Sequence, residues 1–444
     1  MPSQGSIGDR VRGLRLSRRM SQAQLAGPDL SDSYVSLIES GKRTPTPVVA
    51  RLLAERLGCT TEFLVHGIEP RQRIDTELGL RHAELELYHG DPALAVERFA
   101  DIAKAAGEDN ALLAAHARLG RARALEAHGR IDLAVEAYER LRREAAAHPE
   151  RLADVPLTVA LCRCYHRAGD VMRARDLGTT ALAQADRLML HHGEVAVDLA
   201  LALAEAEVGL PYVQQVLEAT GLSAPADRTP EILSLWQASV SAAEGEDSAL
   251  AVQLADDALA AGRPLRITAQ AARIATRWAE LAGGHPDDLD RAESLAGRAS
   301  EVFAALPTET ANQARSLIVL SRLRLRGGDV AGAQELAGRA LALTPDGPAT
   351  VAASAHLLMA EIGSARPGVD VAASLTRAAE LLAAAPGADS IRDPEIAGVW
   401  RRLGDMWGGA GIRERQTAAY RKALEAVGVR STVADPVVPA VFAR

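Results

Sequence analysis

The sequence predicts an all-α protein, and three observations carry that expectation. Aromatic residues make up 3% of the chain while 48% of residues are hydrophobic, mostly alanine and leucine. That mix suits helices packed closely through small side chains and argues against sandwiches and barrels. Apolar residues recur at helical spacing from the first turns of the chain onward. Turn glycines return 36 to 44 residues apart through most of the chain, a period that marks stacked helical repeats. At 444 residues the chain is too long for one hydrophobic core. It reads as a head (1–69), a repeat array (70–428) and an extended tail (429–444) with two prolines and β-branched residues.

The bulk composition narrows the class further. No apolar run reaches 18 residues, so no membrane span is expected. The N-terminal residues hold no apolar signal-peptide core, which predicts a cytoplasmic protein. Cys162 and Cys164 are two apart on a predicted helix, so they point about 200° from each other around its axis. Packing roles are expected for all three cysteines. Among the 50 basic residues only Lys42, Lys104 and Lys422 are lysine, a bias that fits a GC-rich bacterial genome.

The head divides into five short helices. Ile7, Val11 and Leu14 give the first an apolar face. Ser21 and Gln24 form a capping box that opens the second, and Gly27-Pro28 stops it. Ser31 caps a third with Val35 and Ile38 inward, and Gly41 lies just past its end. Thr46-Pro47 opens a fourth carrying Val49, Leu52, Leu53 and Leu57, closed by Gly58. Thr60 starts a fifth through Phe63 and Leu64. The second and third helices, joined by a tight corner, make a helix-turn-helix.

Residues 6–67 resemble the lambda-repressor-like, or XRE-type, DNA-binding domain. "SQAQLA", "SYVSLIESGKRTP" and "LLAERLGC" stand in that family's order, although the corner between Ala26 and Leu30 is one residue shorter than usual. In such a domain the N-terminal end of the third helix enters the major groove, which would place Ser31, Asp32, Ser33, Tyr34 and Leu37 near base edges or flanking phosphates. Asp32 suits a cytosine amino group and Leu37 a thymine methyl. The resemblance implies a phosphate contact for Gln22 and an internal ion pair between Arg15 and Glu39. Lys42 and Arg43 would grip the backbone without reading sequence. Plainer readings stand beside these: Tyr34 covers the core, Asp32 caps the helix, and the two cations sit in a solvated loop. Residues 1–69 carry a net +2 and the remainder −10. Affinity of one head for DNA should therefore be modest and steeply salt-dependent, which points to a homodimer on a palindromic operator.

The array begins after residue 69. Near its end Trp400, Leu403, Gly404, Trp407, Gly411, Tyr420 and Ala423 follow one another at the spacing of a helix pair. Leu320, Gly328-Asp329, Ala333, Ala340 and Pro345 form a second good unit. "HGDPALAVERF" (Gly90, Ala95, Phe99), "HGRIDLAVEAY" (Gly129, Ala134, Tyr138) and "RAGDVMRA" (Gly169, Ala174) repeat its second half. Weaker copies centre on Gly209, Gly245, Gly284 and Gly368, giving about nine helix pairs. The pattern resembles the tetratricopeptide repeat, which implies an α-solenoid with a concave binding wall. By that resemblance His116, Arg123, Arg163, Arg167, Arg273, Arg277, Arg322 and Arg326 face inward. Arginines on such a wall favour an anionic ligand such as a peptide carboxylate. The alternative is that they pair with neighbouring glutamates.

No P-loop, G-x-S-x-G or H-E-x-x-H motif occurs. His191 and His192 are adjacent and diverge around a helix, and "GGAG" near Gly408 is a repeat turn. No catalytic activity, metal or cofactor is expected. The plan of the whole chain is similar to the peptide-sensing quorum regulators of Gram-positive bacteria, in which a ligand on the array shifts the heads. Those regulators often hold the peptide backbone with groove asparagines, and this chain has only Asn110 and Asn312. The expected function is therefore a DNA-binding transcription regulator responding to a peptide or small-molecule signal. Two alternatives remain: a scaffold whose array binds a protein partner, and a head that serves protein contacts alone.

Overall fold

The computed structural model describes residues 6–66, 70–106, 110–345, 347–364, 371–385 and 393–429. Among these residues it contains α-helices and two short 3-10 turns and no strand. The tail, apart from Val429, and the turn expected at Gly368 lie outside the described residues, as does the junction at residues 67–69.

The head is five helices: α1 (Ile7–Ser17), α2 (Gln22–Ala26), α3 (Asp32–Glu39), α4 (Pro47–Arg56) and α5 (Thr61–His66). Each of the first four starts on a hydroxyl cap: Ser6, Ser21, Ser31 and Thr46. Ser21 and Gln24 form the expected reciprocal box, and Pro47 opens α4. Val11, Leu25, Val35, Ile38, Leu53, Leu57 and Leu64 close one small core.

The remaining helices run as α6 (Pro70–His89), α7 (Pro92–Ala106), α8 (Ala111–Ala127), α9 (Ile131–Ala147), α10 (Asp154–Arg167) and α11 (Val171–Arg187). Next come α12 (Glu194–Ala206), α13 (Leu210–Thr220), α14 (Thr229–Glu244), α15 (Ser248–Ala282) and α16 (Leu289–Ala304). Last are α17 (Thr310–Arg326), α18 (Val330–Ala342), α19 (Ala349–Ser364), α20 (Ala372–Ala383), α21 (Pro394–Gly409) and α22 (Arg413–Ala426). They run as successive helix pairs. At Gly129, Gly169, Gly328 and Gly411 the backbone enters the left-handed region, with φ between 77° and 86°. The following N–H then reaches back across the helix end, as Asp170 N to the Tyr165 carbonyl at 2.9 Å and Asp329 N to the Arg324 carbonyl at 2.9 Å. Asp170 and Asp329 cap the second helix of their pairs. The last pair buries Trp400, Leu403 and Trp407 with Leu357, Leu375 and Leu382. Removing the Trp407 ring would cost about 3–5 kcal/mol. Gly404 is required there, because a Cβ on it would lie 2.5 Å from Cε1 of Tyr420.

Three features depart from the expected pattern. In the fifth pair the left-handed residue is Glu246, with φ 62°, one position after the glycine that marks the turn in the sequence. Helix α15 continues for 35 residues through Pro264, so the second helix of one pair and the first of the next are one helix. And the chain divides into two compact units that are not sequential: 1–133 with 143–152 and 229–261, and 134–142 with 153–228 and 262–444. In the first unit, His82 Nε2 of α6 lies 2.9 Å from Ser239 Oγ of α14. Arg81 Nε of α6 lies 2.6 Å from Asp256 Oδ1 of α15. A pair distant in sequence thus bonds to the first helix after the head, beyond the neighbour-to-neighbour contacts that a simple repeat array uses.

Candidate nucleic-acid interface and repeat face

The corner between α2 and α3 is held by one side chain. Arg56, in the last turn of α4, donates Nη1 to the Leu25 carbonyl at 3.1 Å and to the Ala26 carbonyl. Its Nη2 pairs with Asp29. The guanidinium thus satisfies the carbonyl end of α2 and anchors the corner that sets the direction of α3. Gly27 has φ 55°, and a Cβ there would lie 2.7 Å from the Arg56 guanidinium carbon. Arg18 similarly donates to the Gly58 carbonyl at 3.2 Å, and Arg10 to those of Leu64 and Val65 at 3.0 and 2.6 Å.

The far end of α3 is locked by Glu39. Arg15 reaches both of its oxygens, Nε to Oε1 at 2.5 Å and Nη2 to Oε2 at 3.0 Å. Gln22 Nε2 donates to Oε2 at 2.8 Å. Burial pushes the Glu39 carboxyl up, but the bonds from Arg15 and Gln22, with the Arg15 charge, outweigh it and hold the group below its ordinary range. Gln22, expected at a phosphate, is thus tied by its amide N–H to the internal lock.

The opposite end of α3 faces outward. Ser31 Oγ caps the helix, accepting from Tyr34 N at 3.1 Å, and lies 3.0 Å from Ser33 Oγ. Asp32 is exposed; its carboxylate accepts from Ser33 N at 2.8 Å, so the helix cap is Ser31 and not Asp32. Tyr34 is half-buried against the head core, and Arg43 lies over its ring at 4.6 Å. Leu37 is 39% exposed. Lys42 and Arg43 are exposed, and both their backbone N–H groups donate to the Leu37 carbonyl. Ser31, Asp32, Ser33, Leu37, Lys42 and Arg43 therefore lie on the solvent side of α3 and the loop after it.

The predicted wall residues sit on the first helices of their pairs. His116 is exposed and Arg123 half-buried on α8, and Arg167 is exposed on α10. The others interleave with acids. Arg163 Nη1 lies 3.6 Å from Asp198 Oδ1. Arg273 Nη2 meets both Glu309 oxygens at 2.8 and 3.0 Å. Arg277 bridges Glu207 and Glu280 at 2.8 and 2.7 Å. Arg322 Nε meets Glu361 Oε2 at 3.2 Å, and Arg326 Nη1 donates to the Gly283 carbonyl at 2.8 Å. The two asparagines have local roles: Asn110 caps α8, and Asn312 bonds Glu309. Sequence reasoning missed the acids Asp198, Glu207, Glu280 and Glu361, and also Arg402, which pairs with Glu280 at 3.6 Å. Their positions on other helices left no local signal. Cys162 is buried and its thiol is pushed up to about 12 by burial, so it is inert. Among the described residues no three potential metal ligands cluster, and no helix is long and apolar enough to cross a membrane.

Residues 11–64 match the helix-turn-helix family, and the head is an XRE-type helix-turn-helix domain. No curated protein sequence matches the chain. Similar solved structures include Bacillus thuringiensis PlcR in complex with the peptide PapR7 and DNA. It is 14% identical with a TM-score of 0.33, covering 70% of this chain and 99% of that one. A Rap protein complexed with competence and sporulation factor is 11% identical with a TM-score of 0.42, covering 95% and 97%. The apo form of the quorum sensor NprR from B. thuringiensis is 14% identical with a TM-score of 0.32, covering 79% and 98%.

Proposed function

We propose that this chain is a cytoplasmic transcription regulator that binds double-stranded DNA as a homodimer, with a helix-pair array that senses a signal and alters that binding. One observation carries the reading. The N-terminal end of α3 presents Ser31, Asp32 and Ser33, and Leu37 lies further along its exposed face beside Lys42 and Arg43, while Glu39 fixes the other end of the helix from inside. A helix held rigidly from behind, with polar groups at its tip and cations at its flank, suits base reading in the major groove. Four of the head's cations, Arg10, Arg15, Arg18 and Arg56, serve internal bonds. The few that remain for phosphates favour two heads on one palindrome, about 34 Å apart. A signal would act by binding more tightly to the array geometry that permits, or forbids, that spacing.

The test is recovery of genomic DNA fragments by the full chain, against an Asp32→Ala, Arg43→Ala variant, followed by genome-wide mapping of bound sites. The wild type should enrich fragments that share a palindrome and the variant should not. Equal recovery by both would refute DNA reading by α3 and leave a head for protein contacts. Operator binding unchanged by every candidate signal would favour a scaffold.

A further inference from the structure

Helix α3 is held at both ends, and the two holds come from different places. At the inner end its own Glu39 is gripped by Arg15 and Gln22. At the outer end the hold comes from α4. Between Ala26, the last residue of α2, and Ser31, the cap of α3, stand Gly27, Pro28, Asp29 and Leu30. Gly27 N donates to the Ala23 carbonyl at 3.1 Å and Leu30 N to that of Ala26 at 3.2 Å, but Pro28 has no N–H to offer. A side chain supplies the missing donor. Arg56 Nη1 reaches the Leu25 and Ala26 carbonyls and Nη2 reaches Asp29, so one planar group ties the end of α2 to the residue two before the cap. That group has a firm base and a fitted seat. Leu57, the next residue, is fully buried, and the Gly58 carbonyl accepts from Arg18 Nη2 at 3.2 Å. Gly27 leaves room for the guanidinium, whose carbon lies 2.7 Å from where a Cβ would stand.

We propose that Arg56 is a positioning residue for base reading: by fixing the corner it sets the angle at which the tip of α3 meets the bases. The lever is short. The 8 residues of α3 span about 12 Å, so with the Glu39 end held a shift of about 1 Å at the corner turns the helix by about 5°. A direct base contact tolerates only about half an ångström in donor–acceptor distance. Ser31, Asp32 and Ser33 stand directly after the corner and would lose register first, whereas Lys42 and Arg43 lie beyond the Glu39 end. Loss of Arg56 should thus cost sequence preference and spare the attraction to phosphates. Lysine is no substitute, since one ammonium cannot span two carbonyls and a carboxylate as a planar fork does. The inference rests on the proposed DNA reading for its meaning, but the corner itself is measured without DNA.

Two measurements on the full chain test it. Hydrogen exchange, read by mass spectrometry, compares wild type with Arg56→Gln, Arg56→Lys and Gly27→Ala, the last of which pushes on the guanidinium from the other side. Exchange at Leu30, Tyr34 and Val35, whose N–H groups close the corner and the first turn of α3, should rise about tenfold in each, while that at Ser40 stays as it is. Selection from randomised duplexes then compares the sequences retained. The wild type should enrich one consensus, and each variant should favour it over random DNA about tenfold less. Affinity for random DNA and its salt dependence should not change. Circular dichroism checks the fold, and Gly27→Ala carries the comparison if Arg56→Gln does not fold. Unchanged exchange in the corner would overturn the anchor. Raised exchange with an intact consensus would overturn the positioning role. A salt slope lowered by about 1 in Arg56→Gln but not in Arg56→Lys would make the residue a phosphate contact instead. A wild type that enriches no sequence would sink the DNA reading, and the exchange result would still decide whether Arg56 holds the corner.

Discussion

The Ser321 hydroxyl donates to the carbonyl of Ala333, 2.6 Å away and twelve residues further on. The same bond recurs between Ser239 and Ala251 at 2.6 Å, and between the Cys162 thiol and Ala174 at 3.1 Å. Each donor stands seven residues before the left-handed turn residue of its pair: Gly328, Glu246 or Gly169. In the last pair that position is Gly404, and the Tyr420 ring fills the space. In these four pairs the packing site has two solutions, a small donor bonded across to the second helix or a glycine facing an aromatic ring.

The two solutions should not interchange. Ser321→Ala should destabilise the protein by about 1 kcal/mol, the net worth of one hydrogen bond. Gly404→Ser should cost about 1–3 kcal/mol, because its Cβ meets the Tyr420 ring. Urea denaturation of the full chain measures both, and a milder effect for Gly404→Ser than for Ser321→Ala would contradict the account.

Glu246 offers a gain. It occupies a left-handed position that glycine takes in other pairs, at a conformational cost of about 1 kcal/mol. Glu246→Gly should therefore raise the denaturation midpoint. Gly328→Ala should lower it by a similar amount, since φ is 86° and no atom crowds the site. A drop in stability for both substitutions would show that Glu246 is held there by contacts of greater value.

The Glu39 lock predicts a pH dependence confined to acid. Its folded carboxyl titrates below its unfolded range, so the stability it confers is fully present above that range. That stability is lost as pH falls below about 4.5 and through the lower folded value. Glu39→Gln should flatten this part of the curve and cost about 3–5 kcal/mol at neutral pH, because Arg15 is left buried and unpaired. Near-identical acid limbs for variant and wild type would rule out the lock as their source.

Salt should separate the roles of the cations on α3's flank. Arg43→Ala or Lys42→Ala should weaken binding to all DNA sequences alike and lower the slope of log affinity against log salt by about 1. Asp32→Ala should leave the slope alone and change sequence preference. Filter binding across a salt series distinguishes them, and an unchanged slope for Arg43→Ala would remove it from the phosphate contacts.

Much of this was legible in advance because the signals are local. The caps at Ser21, Ser31 and Thr46 and the turns at Gly129, Gly169, Gly328 and Gly411 are short-range chemistry, and each appears where its residues stand. What the residues could not announce depends on distant partners. Arg56 anchors a corner about thirty residues away, and Ser239 meets His82 across 157 positions. The acids interleaved with Arg163, Arg273, Arg277 and Arg322 come from other helices, so spacing alone made these positions look more basic than their surroundings are. Pro264 departs from the usual local rule in another way, because it sits within a helix that continues past it.

The division of labour along α3 bears on how such a head evolves. Glu39, at its inner end, carries the load of the fold, whereas Asp32, Ser33 and Leu37 lie outside the core. If that flank reads DNA as proposed, substitutions on it would redirect target preference with little loss of folding free energy. On that reading a head of this build would reach new operators in single mutational steps while the scaffold beneath stays intact.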